Sequence, residues 1–268
     1  MTPVKETIST FDDLLNRSDL RLFEKIKSQT DENDKRSLLA CQRAVRGMLP
    51  SYKYLEIGSY LGGSIQPFLL DPRCEKIYSL DKRPASQPDE RGTSFVYKNN
   101  STQRMLENLK TVTEKGLEKI ICLDGDVSEI DPKRITERPD LCFIDGEHTD
   151  EAAQRDFHFC LKVLNDRGAI LFHDAGVIYN GLQQIVEYLQ KNGIEFTAYS
   201  LPNVMFVIEV GDFPLHRDPQ IASMLVNNHV SYLFALRSND FYRSFVNKPL
   251  IRKYREFRTW LAGSNVSE

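Results

Sequence analysis

Two apolar periods alternate along this chain. Short runs rich in branched and aromatic residues lie at Tyr52–Ile57, Lys76–Leu80, Lys119–Leu123, Asp140–Ile144 and Ala169–Phe172. Their length and composition predict buried strands. Between them run stretches with helical spacing: Ser64–Leu70, Asn100–Gly116, Asp150–Leu164 and Ile178–Lys191. In Asp150–Leu164, the residues Ala153, Phe157, Cys160, Leu161 and Leu164 share one face. Asn100 is the expected cap of its helix and Gly116 its stop. Two last runs, Ile194–Ser200 and Val204–Val210, are joined by Leu201-Pro202-Asn203 and predict a hairpin. Residues 9–48 predict two helices broken at Asp31–Asp34, the second over Ser37–Leu49 and stopped by Pro50. Strands alternating with helices predict a mostly parallel α/β sheet, here with an antiparallel edge hairpin. The expected organisation is a helical cap over 1–50, the sheet domain over 51–210 and a helical extension over 211–268.

The chemistry gathers at the carboxyl ends of these strands. The first strand runs into a glycine turn, Gly58–Gly63, with Ser59 inside it and Ser64 after it. Glycines here let a ligand lie against backbone N–H groups at a helix start. The spacing is Glu56-x-Gly58-x-x-x-Gly62-Gly63, not the dinucleotide G-x-G-x-x-G. A phosphate has no use for Glu56; a ligand with an ammonium group does. Asp81 ends the second strand, 23 residues after Gly58, where an acid takes ribose hydroxyls. The third strand ends in Asp124-Gly125-Asp126, the fourth in Asp145-Gly146-Glu147-His148, the fifth in His173-Asp174. Asp145 and Asp174 end neighbouring strands, so both carboxylates can reach one hard cation such as Mg²⁺. His173 is a third candidate metal ligand, although strand alternation lets only one of His173 and Asp174 face the site. His148 stands where an imidazole takes a proton from a substrate hydroxyl.

Composition narrows the classes. The 268 residues carry a net charge of −3, with 41% hydrophobic and 27% charged residues. That is ordinary globular composition and gives no reason to expect nucleic acid as a partner. No apolar run reaches the ~18 residues of a membrane span, and Met1–Leu15 lacks a signal-peptide core. The five cysteines lack C-x-x-C spacing, which predicts free thiols in a reducing compartment and a cytoplasmic location. Arg237–Arg258 holds seven basic and two acidic residues with interleaved aromatics, read as a terminal helix with its charges in water.

The Glu56–Ser64 turn resembles the first motif of class I methyltransferases, which bind S-adenosylmethionine (SAM). The segments Asp140–His148, Asp156-Phe157 and Leu164–Asp174 resemble a narrower group, the macrocin O-methyltransferase and cephalosporin hydroxylase-like family. The resemblance covers roughly residues 50–210. It implies a Rossmann-like SAM domain in which Glu56, Gly58, Ser59, Gly62, Gly63, Ser64, Asp81, Asp126 and Asp145 hold the cofactor. Glu56 takes the ammonium, Asp81 the ribose and Asp126 the adenine amino group. In metal-dependent members an acid at the place of Asp145 and an acidic pair at 173–174 hold Mg²⁺, with a histidine at the place of His148 as base. This chain departs from that pattern at His173. The expected activity is methylation of a small-molecule hydroxyl, with Asp145, His148 and Asp174 at the reaction end. An NAD-dependent oxidoreductase and a non-catalytic SAM-fold protein are the alternatives; a homo-oligomer is left open.

Overall fold

The computed structural model describes residues 10–226, 240, 244–245 and 248–264. The described strands are β1 (Tyr52–Ile57), β2 (Cys74–Asp81), β3 (Ser86–Asp89), β4 (Thr93–Val96), β5 (Ile120–Asp124), β6 (Leu141–Ile144), β7 (Gly168–Phe172), β8 (Phe196–Leu201) and β9 (Met205–Val210). The described helices are α1 (Phe11–Asn16), α2 (Glu32–Met48), α3 (Gln66–Leu70), α4 (Thr102–Lys110), α5 (Asp150–Val163), α6 (Tyr179–Lys191), α7 (Pro219–Leu225) and α8 (Pro249–Ser264).

Seven strands form one sheet in the order β5-β2-β1-β6-β7-β9-β8. The first five in that order run parallel, and β9 is antiparallel to both its neighbours. Both faces are covered, so the parallel strands are apolar nearly throughout. Alternation splits their side chains between two cores. Tyr52, Tyr54, Leu141, Phe143, Ala169 and Leu171 join the N-terminal helices and Phe68. Leu55, Ile57, Cys142, Ile144, Ile170 and Phe172 join Phe157 of α5 and Leu182 of α6. Each fully buried Leu, Ile or Phe contributes roughly 1.5–3 kcal/mol.

The expected sheet is present, with strand ends shifted by at most two residues. Three local differences have physical causes. Asp31, expected as a helix break, is the N-cap of α2, accepting from the N–H groups of Asn33 and Asp34. Ser101, not Asn100, caps α4, which ends at Lys110. The polar segment 81–92 contains half of an antiparallel pair, β3–β4. Pro88 inside β3 argues against a strand in the sequence, but an isolated two-stranded ribbon has edges only. Much of the basic stretch 237–258 lies outside the described residues.

Register sets the floor of the site. Ile57 pairs with Leu80 and Ile144, and Ile144 with Phe172. The next residues, Gly58, Asp81, Asp145 and His173, therefore leave the sheet at one level. The strand order reverses between β1 and β6, the position where an open α/β sheet has its crevice. One side chain fixes the roof. Gln66 is wholly buried. Its Oε1 accepts from the N–H groups of Lys25 and Ile26, and its Nε2 donates to the carbonyls of Phe23, Ile26 and Gly63. Residues 27–30 are thereby held against the glycine turn.

Candidate active site

The turn after β1 has no space for side chains at two positions. Gly58 adopts φ +94°, and a Cβ there would lie 2.1 Å from the Asp145 carbonyl oxygen. A Cβ on Gly63 would meet Ser28 Cα at 2.8 Å. Asp81 Oδ2 accepts from the Tyr60 N–H at 2.8 Å and Oδ1 from the Arg83 N–H at 2.6 Å. The second-strand acid and the turn are thus one hydrogen-bonded unit. A cavity of about 250 Å³ opens beside it. Its walls are Gly58, Ser59, Gly63 and Ser64 of the turn, Lys27–Thr30 of the roof, Arg91, Phe95 and Tyr97 of the hairpin region, and Asp145, His148, His173 and Asp174.

At the far end of this cavity, carboxylates and imidazoles alternate. Asp89 Oδ2 lies 3.4 Å from His148 Nδ1, and His148 Nε2 lies 3.0 Å from Asp174 Oδ2 and 3.9 Å from Asp145 Oδ1. His173 Nδ1 lies 2.8 Å from Asp174 Oδ2 and 3.1 Å from Asp145 Oδ1, and its Nε2 lies 3.4 Å from Asp34 Oδ2. Burial alone would lower both histidine pKa values. The facing carboxylates outweigh it: His148 is raised to about 10, by Asp145 and Asp89 first, and His173 is raised well above its ordinary value by Asp145 and Asp174. Burial would raise Asp145 and Asp174, but the imidazoles beside them hold both below the usual carboxylate range.

Strand alternation fails at the end of β7, and both His173 and Asp174 face the site. The strand stops at Phe172, and Asp174 takes φ +53°. This left-handed turn, which aspartate tolerates better than most residues, swings its carboxylate back beside the His173 ring.

Four other expected residues lie off the main cavity wall. Glu56 sits behind Ser64: Ser64 Oγ donates to its Oε1 at 2.5 Å and Tyr54 Oη to its Oε2 at 2.7 Å. Burial raises the Glu56 carboxyl to about 8. Gly62 backs onto Leu109. Asp81 lines two small adjoining cavities. The Asp126 carboxylate is held by Lys82 at 2.7 Å and Arg155 at 3.2 Å, and it also accepts from Ser128. The small cavity beside Asp81 and Gly146 is lined by two further carboxyls, Glu147, which Lys82 holds at 3.1 Å, and Asp156, which burial raises to about 7. Asp156 stands in the sequence as part of the Asp156-Phe157 segment of the resemblance, and as a charge on the apolar face of α5, but neither signal gives it a role. Asp34, Asp89, Arg91 and Tyr97 gave no signal, because distant segments deliver them.

The implied Mg²⁺ can be tested against these donors. Asp145, His148 and Asp174 each bring one donor atom within 4.8 Å of the others, a spacing that a cation could bridge. Mg²⁺, however, demands near-octahedral oxygen ligands. The third position carries an imidazole, and ring nitrogens already take the carboxylate oxygens, His173 at 2.8 and 3.1 Å and His148 at 3.0 Å. These residues do not fit Mg²⁺.

Residues 55–175 match the model of a methyltransferase domain. No curated protein sequence matches the chain. Among solved structures, the O-methyltransferase NovP aligns at 14% identity with a TM-score of 0.53, covering 72% of this chain and 88% of NovP. Cofactor-bound Rv0187 from MTB aligns at 14% identity with a TM-score of 0.50, covering 78% of this chain and 98% of that one. At such identities the likeness is one of fold: the Rossmann-like methyltransferase sheet. With the family match, it makes residues 55–175 a methyltransferase domain on a Rossmann-like sheet. The oxidoreductase alternative falls with that assignment. No described helix is long and apolar enough to cross a membrane, and all five cysteines are free.

Proposed function

We propose that the protein transfers the SAM methyl group to a hydroxyl of a small molecule in the cavity between the glycine turn and the Asp145–His148–Asp174 cluster. The observation that carries this reading is the sharing of one wall. The turn that suits the cofactor and the imidazole–carboxylate cluster that suits proton transfer line the same 250 Å³ space. NovP, of the same fold, is an O-methyltransferase. In this reading the backbone of Gly58–Gly63 and the Ser59 and Ser64 hydroxyls hold the methionine part of the cofactor. Glu56 acts on the ammonium through Ser64 rather than by direct contact. Asp126 has its charge taken by Lys82 and Arg155, and Glu147 at the small cavity is held by Lys82, so the adenine amino group falls to Asp156.

The reaction is a direct displacement. The acceptor oxygen forms a bond to the methyl carbon, the carbon–sulfur bond breaks, and its electron pair stays on sulfur. The hydroxyl proton goes to His148 Nε2 in its neutral form, while Asp145 and Asp174 orient the acceptor and the imidazole. No step draws on a metal. Calorimetry with S-adenosylhomocysteine (SAH), followed by an acceptor screen with methyl-labelled SAM, tests the proposal. SAH should bind, and a labelled ether should form from a hydroxyl compound. Absence of SAH binding, or label found only on nitrogen or carbon, would overturn it.

Asp81 provides an independent check on the cofactor's orientation. A carboxylate has about four acceptor positions; the Tyr60 and Arg83 N–H groups take two, and the long contacts from Arg83 Nη1 at 3.3 Å and Asn100 Nδ2 at 3.5 Å are the ones ribose hydroxyls would displace. Asp81→Ala should weaken SAH binding by ~1.5–3 kcal/mol, the range for charge-assisted hydrogen bonds. An unchanged affinity would limit Asp81 to bracing the turn.

A further inference from the structure

We propose that His173 is a built-in cation whose ring holds the place and the charge that a divalent metal would otherwise supply between Asp145 and Asp174. The inference rests on the hydroxyl-methylation reading and assigns His173 a positioning role within it.

Three observations carry it. First, Nδ1 is within hydrogen-bond range of both carboxylates, 3.1 Å from Asp145 and 2.8 Å from Asp174. A cation joining the two acids would need the space that this nitrogen fills. Second, the opposite nitrogen, Nε2, faces the Asp34 carboxylate at 3.4 Å. That nitrogen is buried and makes no hydrogen bond, so the contact is one of charge: three carboxyl groups stand around one buried ring, an arrangement that favours the imidazolium over the neutral ring. Third, the ring is fixed in position. Phe143 meets it edge to face at 6.3 Å. Asp34 is fixed in turn, accepting from Asn203 Nδ2 at 2.7 Å and from the Val204 N–H at 3.1 Å. The left-handed backbone at Asp174 brings the second carboxylate to the ring.

The consequence is a difference in how the acceptor is held. A divalent ion would take the acceptor oxygen as a ligand. The buried imidazole has Nδ1 on the acids and Nε2 buried beside Asp34, and so offers the acceptor no donor. The acceptor is then positioned by the free lone pairs of Asp145 and Asp174 and by His148.

The experiment is a Mn²⁺ titration of the chelator-treated full-length protein, followed by electron paramagnetic resonance, with SAH affinity measured in parallel. The wild type should leave the free-ion signal unchanged. His173→Asp restores an all-oxygen trio and should remove one Mn²⁺ per chain from solution; adding Asp145→Asn should abolish that uptake. Methyl transfer by the wild type should be indifferent to chelator, and that of His173→Asp should become dependent on added Mg²⁺. One Mn²⁺ bound by the wild type and lost in Asp145→Asn would overturn the proposal, and so would a folded His173→Asp protein that takes up none. If His173→Asp does not fold, the wild-type titration still decides. The metal readout needs neither acceptor nor turnover. Failure of the methylation reading would therefore appear separately, as missing SAH binding or missing product.

Discussion

The rate of methyl transfer, measured as kcat/KM, is expected to rise about tenfold per pH unit from neutrality to about pH 10 and then level off. The sign follows from the base. His148 accepts a proton only when neutral, and the carboxylates of Asp145, Asp89 and Asp174 raise its pKa to about 10. At pH 7 only about one molecule in a thousand then carries the neutral ring. His148→Ala should remove the slope and cost ~10²–10⁴-fold on the high-pH plateau, the usual worth of a general base. SAH affinity should stay near wild type, since the ring is placed toward the acids. Asp89→Asn should shift the profile to lower pH, because the carboxylate 3.4 Å from Nδ1 helps to hold the proton. A His148→Ala enzyme that keeps both slope and rate would remove the base assignment; the rise would then reflect hydroxide or the acceptor's own ionisation.

Gly58→Ala is expected to be the most damaging single methyl group in the domain. An L-residue at φ +94° costs roughly 1–2 kcal/mol. The added Cβ would also overlap the Asp145 carbonyl at 2.1 Å and the Gly146 Cα at 2.7 Å, both backbone atoms that no rotamer change can move. Overpacking of that kind adds roughly 1–3 kcal/mol. The sum, about 2–5 kcal/mol, is a large share of the stability of an ordinary domain. Relief requires the ends of β1 and β6 to separate, which displaces Asp145 and opens the cofactor turn. Denaturant unfolding should report the lost stability and calorimetry the lost SAH binding. Gly47→Ala is the internal control: nothing lies within 4 Å of its Cβ, and in helix α2 the change should be neutral or stabilising by up to about 1 kcal/mol. If the two variants behave alike, the close approach of β1 to β6 is not what the turn depends on.

What could be read from the sequence is what depends on neighbours along the chain. The five parallel strands and the closing hairpin follow from local apolar periods. The placement of Glu56, Gly58, Asp81, Asp145 and His173 follows from their position one step past, or just before, a strand end. One parallel register carries all these ends to the same level, so a list of strand termini was already a list of site candidates.

Tertiary structure decided which of those candidates face the cavity and what charge they carry there. Glu56 ends behind Ser64 because side chains alternate along β1. Asp126 is withdrawn by Lys82 and by Arg155 of α5, and Asp156 lines the small cavity in its place. His173 and Asp174 both point inward because the backbone turns left-handed after the last paired residue, where strand alternation no longer applies. Asp34 reaches His173 from the start of α2, Asp89 reaches His148 from the β3–β4 pair, and Gln66 ties down the roof. Each of these contacts joins segments far apart in the chain, and no periodicity reports them. The sequence by itself determined the sheet and the level of its chemistry. The alternation of four carboxylates with two imidazoles, and with it the protonation of His148 and the place of His173 between two acids, exists only once the fold has brought those segments together, because Coulomb and hydrogen-bond terms depend on distance through space and not on separation along the chain.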